Sequence, residues 1–169
     1  SFGNLLLAAI NGIMPSFDRA VAGLSQVLAI TGRVLPVTNA NIRLEAEFEN
    51  GRKIIGESGI CQMKRQDNCR IRCVRLYPGH PKALPEAVEA IREADLIILA
   101  PGSLYTSIIP NLLVDGIVDA ISYSDSMKIY ICNVMTESGE TEGYTVSDHI
   151  QAIFNHSCHG LFDLCMVNS

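Results

Sequence analysis

The spacing of apolar and polar positions changes period along this chain, and each change marks a change of element. Gly3 to Ile13 (GNLLLAAINGI) is apolar in a helical pattern, with Ser1 placed to cap it. Phe17 to Ile30 puts Ala20, Val21, Leu24, Val27 and Leu28 on one helical face, and Gly32 ends that helix. From Arg33 the period drops to two. Ile42, Leu44, Ala46 and Phe48 alternate with Arg43, Glu45, Glu47 and Glu49, the pattern of a half-buried antiparallel strand. Asn50-Gly51 predicts a tight hairpin, Lys53 to Ile60 the returning strand, and Arg70 to Leu76 a further strand. Residues 33–77 are therefore expected to form a small antiparallel β region.

Past the break at Pro78-Gly79-His80-Pro81, the pattern changes class. Pro85 opens a helix over Glu86 to Glu93 with an acidic first turn. Strands are then predicted at Leu96 to Leu99, Lys128 to Val134 and Phe162 to Val167, with helices at Ile108 to Ser122 and Thr145 to Asn155 between them. Continuous apolar strands alternating with helices predict an α/β fold: a Rossmann-like parallel sheet with helices on both faces, carrying the small antiparallel region as an insert. The 169 residues suit one domain, with 33–77 as the insert and 86–169 as a β/α half.

Composition narrows the function classes. With 48% hydrophobic and 18% charged residues the chain is globular, and its net charge of −5 argues against a general nucleic-acid binder. The basic stretch from Lys64-Arg65 through Arg70, Arg72 and Arg75 alternates with apolar residues and reads as the wet face of a strand. No apolar run approaches the ~20 residues of a membrane span, and no secretory leader is expected. The six cysteines include no C-x-x-C pair, so free thiols in a reducing cytoplasm are expected. His156-Ser157-Cys158-His159 lacks a second ligand pair at organised spacing, and no metal site is expected. Both ends read as cuts within a longer protein.

Two strand-to-helix loops carry the candidate chemistry: Ala100 to Ser107 (APGSLYTS) and Met135 to Tyr144 (MTESGETEGY). In an open parallel sheet, ligands sit beyond the carboxyl ends of the strands. Gly102 would let a ligand approach the backbone. Ser103, Thr106 and Ser107 offer hydroxyls to a phosphate or a sugar. The same residues also suit a plain Pro-Gly turn with Ser107 as a helix cap, and the residues alone leave both readings open. In the second loop, Glu140 suits a sugar hydroxyl or a base role, or simple solvation, while Asn133, Thr136 and Thr141 stand close by. Thr145-x-x-Asp148 is a capping-box start, and His149 shares an apolar helical face, which predicts packing or capping. GxGxxG, GxxxxGK[ST] and GxSxG motifs are all missing from the sequence.

The stretches "SFGNLLLAAI", "LSQVLAITGRVLPVT", "GRKIIGESGI", "ADLIILAPGSLYTSIIPNLLVDGI" and "KIYICNVMTESGETEGYTVSDHIQAI" resemble the YvcK-like gluconeogenesis factors, within the CofD-like (2-phospho-L-lactate transferase) superfamily. The resemblance spans nearly the whole chain in the family's order. It implies a nucleotide-type small-molecule ligand, a UDP-sugar or an NAD-like dinucleotide. The protein it implies is a bacterial, cytoplasmic regulator linked to gluconeogenic growth, cell shape and wall synthesis. Self-association and cell-wall-related protein partners are left open by it. The alternative it carries is a CofD-type transferase that moves a phospholactyl-like group to an acceptor. Carried over residue by residue, the ligand-facing positions are Gly3, Asn4, Gly102, Ser103, Asn133, Thr136, Glu140 and Thr141. Two features depart from the family. Its glycine-rich loop and Asp-rich segment, which precede "GNLLLAA", are not in this sequence, and Ala100 stands where glycine is usual.

Overall fold

A bulged antiparallel sheet and a parallel sheet share one apolar core. The computed structural model describes residues 2–67 and 69–168, so the expected cap at Ser1 lies outside the described residues. Helix α1 (Phe2–Ile13) packs against α2 (Phe17–Val27), which buries Ala20 and Val21. The first sheet has the order β2-β1-β3, with β1 (Arg43–Phe48), β2 (Lys53–Ile55) and β3 (Ile71–Tyr77) all antiparallel. The Asn50-Gly51 turn forms as the residues predict. Gly51 takes φ +81, and the Asn50 side chain accepts from the Arg52 N–H at 3.1 Å.

The returning strand is much shorter than the expected Lys53 to Ile60. Gly56, at φ +97, ends it, and Glu57 begins a helix, α3 (Glu57–Asp67). Ile60 and Met63 are buried on α3, a three-residue spacing that fits a helix and not a strand. Lys64 and Arg65 therefore fall on this helix rather than on a strand face. Farther on, Arg72 and Arg75 do point to solvent. A bulge opposite Glu47/Phe48 shifts the register by one residue, so both arginines reach Glu47, at 2.9 and 3.1 Å.

The chain then passes through α4 (Pro85–Arg92) into a parallel sheet of order β4-β5-β6, formed by β4 (Leu96–Leu99), β5 (Met127–Ile131) and β6 (Leu164–Met166). The helix expected over Ile108 to Ser122 is interrupted. It becomes a π-helical turn (Leu104–Ile108), α5 (Ile109–Leu112) and α6 (Ile117–Ser122). Asp115 bridges in parallel to Lys82, and Gly116 at φ +96 restarts the helix. The Asp115-Gly116 dipeptide is a turn signal within an apolar run. Helix α7 (Val146–Asn155) begins on the Thr145–Asp148 capping box, with both reciprocal bonds present.

Core residues Phe48 and Val74 of the first sheet and Ile60 of α3 pack in one cluster with Leu104, Ile109, Tyr130 and Ile153. By two-residue alternation, Leu99 and Tyr130 face this core. Leu96, Ile98, Met127, Leu164 and Met166 lie on the opposite sheet face and are each about half exposed. Among the described residues no helix is long and apolar enough to cross a membrane.

Candidate functional site

Loop 100–107 leaves β4 and loop 133–144 leaves β5, so the parallel register of these strands sets the loops side by side at the sheet's carboxyl edge. Hydrogen bonds then tie them together. Gly102 N–H donates to Asn133 Oδ1 at 3.0 Å, and Asn133 Nδ2 donates back to the Gly102 carbonyl at 2.9 Å. The Ser103 hydroxyl donates to Glu137 Oε1 at 3.0 Å. Asn133 thus engages both ends of its amide with the neighbouring loop and acts as a clamp. Within the second loop, Thr141 is wholly buried. Its hydroxyl accepts from the Glu137 N–H at 2.9 Å, and its own N–H donates to the Glu137 carbonyl. It shapes the turn from inside.

Gly102 carries information of a different kind. A Cβ built there would meet Ser107 Cβ at 3.6 Å and Ile108 Cγ1 at 3.8 Å, ordinary contacts, and its φ is not in the left-handed region. Neither backbone conformation nor packing inside the chain demands glycine. Ala100 likewise has no positive φ, so the alanine at that position carries no backbone strain. Ser107 does not cap a helix through its side chain. It lies inside the π-helical turn, and its carbonyl accepts from Asn111 Nδ2 at 2.6 Å.

Glu140 is the most unusual group in the loops. It is 1% exposed, and neither carboxylate oxygen has a well-formed hydrogen bond. Burial pushes its carboxyl above the ordinary range, although the Thr106 hydroxyl and the N–H groups of Tyr105 and Thr106 favour the charged form; nearby Glu137 adds to the upward shift. The sequence places Glu140 in the right loop, but its burial is a tertiary result. Because its folded-state pKa lies above the unfolded value, its contribution to stability is full below about pH 4.5 and is lost as pH rises through the raised value. Glu140→Gln is therefore expected to stabilise the protein by about 1–2 kcal/mol at pH 8, and by less at pH 5. Urea midpoints of both proteins at the two pH values check this, and an equal gain at both would sink it.

Tyr105 and Tyr144 anchor the loops to the first sheet. Their hydroxyls lie 3.0 Å apart, and the Tyr105 hydroxyl also donates to the Ile71 carbonyl at 3.4 Å. Burial raises both phenols above their ordinary range. Arg70 sits over the Tyr144 ring at 5.1 Å. The predicted positions Gly3 and Asn4 lie in the exposed first turn of α1, outside these ties. Thr136 is exposed and lines a cavity of about 240 Å³ with Asn133 and His149.

Side chains of the His156–His159 cluster diverge. His156 Nε2 accepts from the Val74 N–H at 3.0 Å, and Nδ1 lies 2.7 Å from the Ala152 carbonyl. Ser157 donates to Ile153, and the His159 ring packs on Phe154 at 5.4 Å. Among the described residues, no group of three or more His, Cys, Asp or Glu side chains is arranged to hold a metal ion.

Comparison with known proteins adds the family context. The family model described as 2-phospho-L-lactate transferase CofD matches residues 1–169. The gluconeogenesis factor of Halalkalibacterium halodurans is 49% identical over 168 residues, covering 99% of this chain and 51% of that protein. The gluconeogenesis factor of Bacillus subtilis (strain 168) is 48% identical over 169 residues, covering 100% and 52%. A crystal structure of a UPF0052 family member from Bacillus halodurans matches with a TM-score of 0.91 at 49% identity, covering 99% of this chain and 53% of that one. The chain spans about a third to a half of the length of the curated relatives it matches.

Proposed function

This chain belongs to the CofD family, and on that premise we propose that it supplies one wall of the ligand site in a nucleotide- or nucleotide-sugar-binding regulatory protein of the gluconeogenesis factor type. In this reading it is part of one cytoplasmic domain, with 33–77 as an insert, that acts in carbon metabolism, cell shape and cell-wall synthesis through partner proteins. The observation that carries the reading is the pair of loops at the carboxyl edge of the parallel sheet, clamped by Asn133 around a glycine that the chain's own packing does not require. Neither loop 100–107 nor loop 133–144 contains Lys or Arg, while Glu137 is exposed beside the Ser103 hydroxyl. That chemistry favours the hydroxyl-rich part of a nucleotide ligand here over its phosphates.

Full-length protein is expected to melt at higher temperature with UDP-N-acetylglucosamine, another UDP-sugar or NAD. Binding at a ligand concentration 100-fold above Kd stabilises by about 2.7 kcal/mol. No shift with any of these would overturn the reading. The family model's description favours a second reading, a transferase of phospholactyl-like groups. Metal-dependent turnover of such a donor, followed by mass spectrometry, separates the two.

A further inference from the structure

On the outer face of the antiparallel sheet, one carboxylate holds three cations. Glu47, on the central strand β1, accepts from Arg72 at 2.9 Å and from Arg75 at 3.1 Å, both on β3, and Lys53 Nζ on β2 lies 3.7 Å away. Their exposure differs sharply. The side chains of Lys53, Arg72 and Arg75 are 55%, 69% and 57% exposed, and that of Glu47 only 14%. The carboxylate is the pin beneath, and what meets the solvent is cationic. Each guanidinium has a rigid fork of N–H donors, of which Glu47 takes one from Arg72 and one from Arg75. Ion pairs this exposed add little to stability, so holding the strands together does not account for three cations on one acid.

The neighbours on that face narrow what meets it. The register sets Glu45 between Arg75 and Ile55, and two residues farther along sets Arg43 opposite Tyr77. Ile55 and Tyr77 are about half exposed, whereas Ala46 and Val74, on the other face, are in the core. An antiparallel sheet with this alternation keeps its outer face in water or against a polar partner. A continuous polyanion fits poorly there. Its phosphates would have to cross Glu45 and Glu47, and the chain's net charge of −5 repels it. Separate carboxylates on a protein segment can pair with the arginine forks and leave the glutamates clear. We propose that the outer face of β2-β1-β3 is a docking surface for an acidic segment of a partner protein. Arg72, Arg75 and Lys53 receive its carboxylates, and Ile55 and Tyr77 an adjoining apolar side chain. The inference uses no residue of the two loops at the carboxyl edge and holds whether or not they bind a nucleotide.

The test is fluorescence anisotropy of full-length protein with a labelled peptide that carries paired Glu residues followed by Phe and Leu, against the same peptide with Gln for Glu. Wild type is expected to bind the acidic peptide roughly tenfold more tightly than the Gln peptide, and less tightly as salt rises from about 50 to 300 mM. The double variant Arg72→Gln/Arg75→Gln, checked for folding by thermal melt, should lose that preference. Equal binding of the two peptides by wild type, or an unchanged preference in the double variant, overturns the proposal. So does arginine-dependent binding of a single-stranded oligonucleotide or of phosphatidylserine vesicles that is tighter than that of the acidic peptide, which would assign the face to phosphate. If the double variant does not fold, the Arg72 and Arg75 side-chain resonances of ¹⁵N-labelled wild type decide. They move with the acidic peptide and stay in place with the Gln peptide, and unmoved resonances overturn the docking surface.

Discussion

Replacing His156 with Ala is expected to cost about 2–4 kcal/mol of stability. The side chain joins two parts of the fold that are distant in sequence: Nε2 accepts from the Val74 N–H on β3, while Nδ1 donates to Ala152 on α7. Its ring also meets the edge of Tyr105 at 5.9 Å. Alanine leaves a partly buried N–H without its acceptor and a gap between α7 and the first sheet. The bond also makes stability depend on pH. Burial, with a smaller contribution from Arg75, holds the imidazole below its ordinary value of 6.5, against the opposing pull of the Ala152 carbonyl. The unfolded chain therefore takes up the proton first. The contribution is complete above about pH 6.5 and is lost as pH falls through the lowered value. Melting curves from pH 7.5 to 5 should show a fall in wild type that is smaller in His156→Ala. Parallel curves would show that His156 does not carry the effect.

Asn133→Ala is expected to cost about 2–3 kcal/mol, because it removes two bonds that share one side chain and hold Gly102 from both its N–H and its carbonyl. Loop 100–107 would keep only its weaker attachments, among them Ser103 to Glu137. If the full-length protein binds a nucleotide as proposed, that binding should weaken together with the melting temperature. Ser103→Ala, which breaks one partly exposed bond, should cost less than 1 kcal/mol. A melting temperature unchanged in Asn133→Ala would mean that the clamp forms without contributing to loop order. Hydrogen exchange of the Gly102 amide gives an independent measure, since opening of the clamp exposes that proton.

These expectations rest on contacts with different legibility in the chain. The period-two alternation over Ile42 to Phe48 and the apolar runs at Leu96 to Leu99 and Lys128 to Val134 are one-dimensional signals, and each formed a strand, though β5 ends at Ile131, three residues before the expected end. Asn50-Gly51 and the Thr145–Asp148 box are local chemistry, in which a side chain bonds to backbone a few residues away. Both were legible for that reason. The strand expected over Lys53 to Ile60 failed where a local cue was underweighted: Gly56, followed by Ile60 and Met63 at helical spacing. The long helix over Ile108 to Ser122 failed similarly at Asp115-Gly116. In both places a glycine in a left-handed conformation outweighed the apolar pattern.

The candidate site divides along the same line. That Gly102, Ser103, Asn133, Thr136, Glu140 and Thr141 gather on two neighbouring loops follows from strand order and motif, both visible in the residues. Their roles do not follow from residue type. Asn133 is a clamp, Thr141 is buried, and Glu140 is shut away from solvent. His149, read from its helical face as packed, is indeed buried, but its free Nε2 depends on which carbonyl Nδ1 finds.

By itself, then, the sequence determined the α/β class, the antiparallel strand pattern and the local turns at Asn50-Gly51 and Thr145–Asp148, because periodicity and local turn chemistry act over a few residues, while the family was read from resemblance over long motifs. Only the tertiary structure decided which polar groups in loops 100–107 and 133–144 are already satisfied and which are left over. That depends on partners 31 residues apart for Gly102–Asn133 and 82 for Val74–His156, and such distant contacts are made only when the sheets close on a common core.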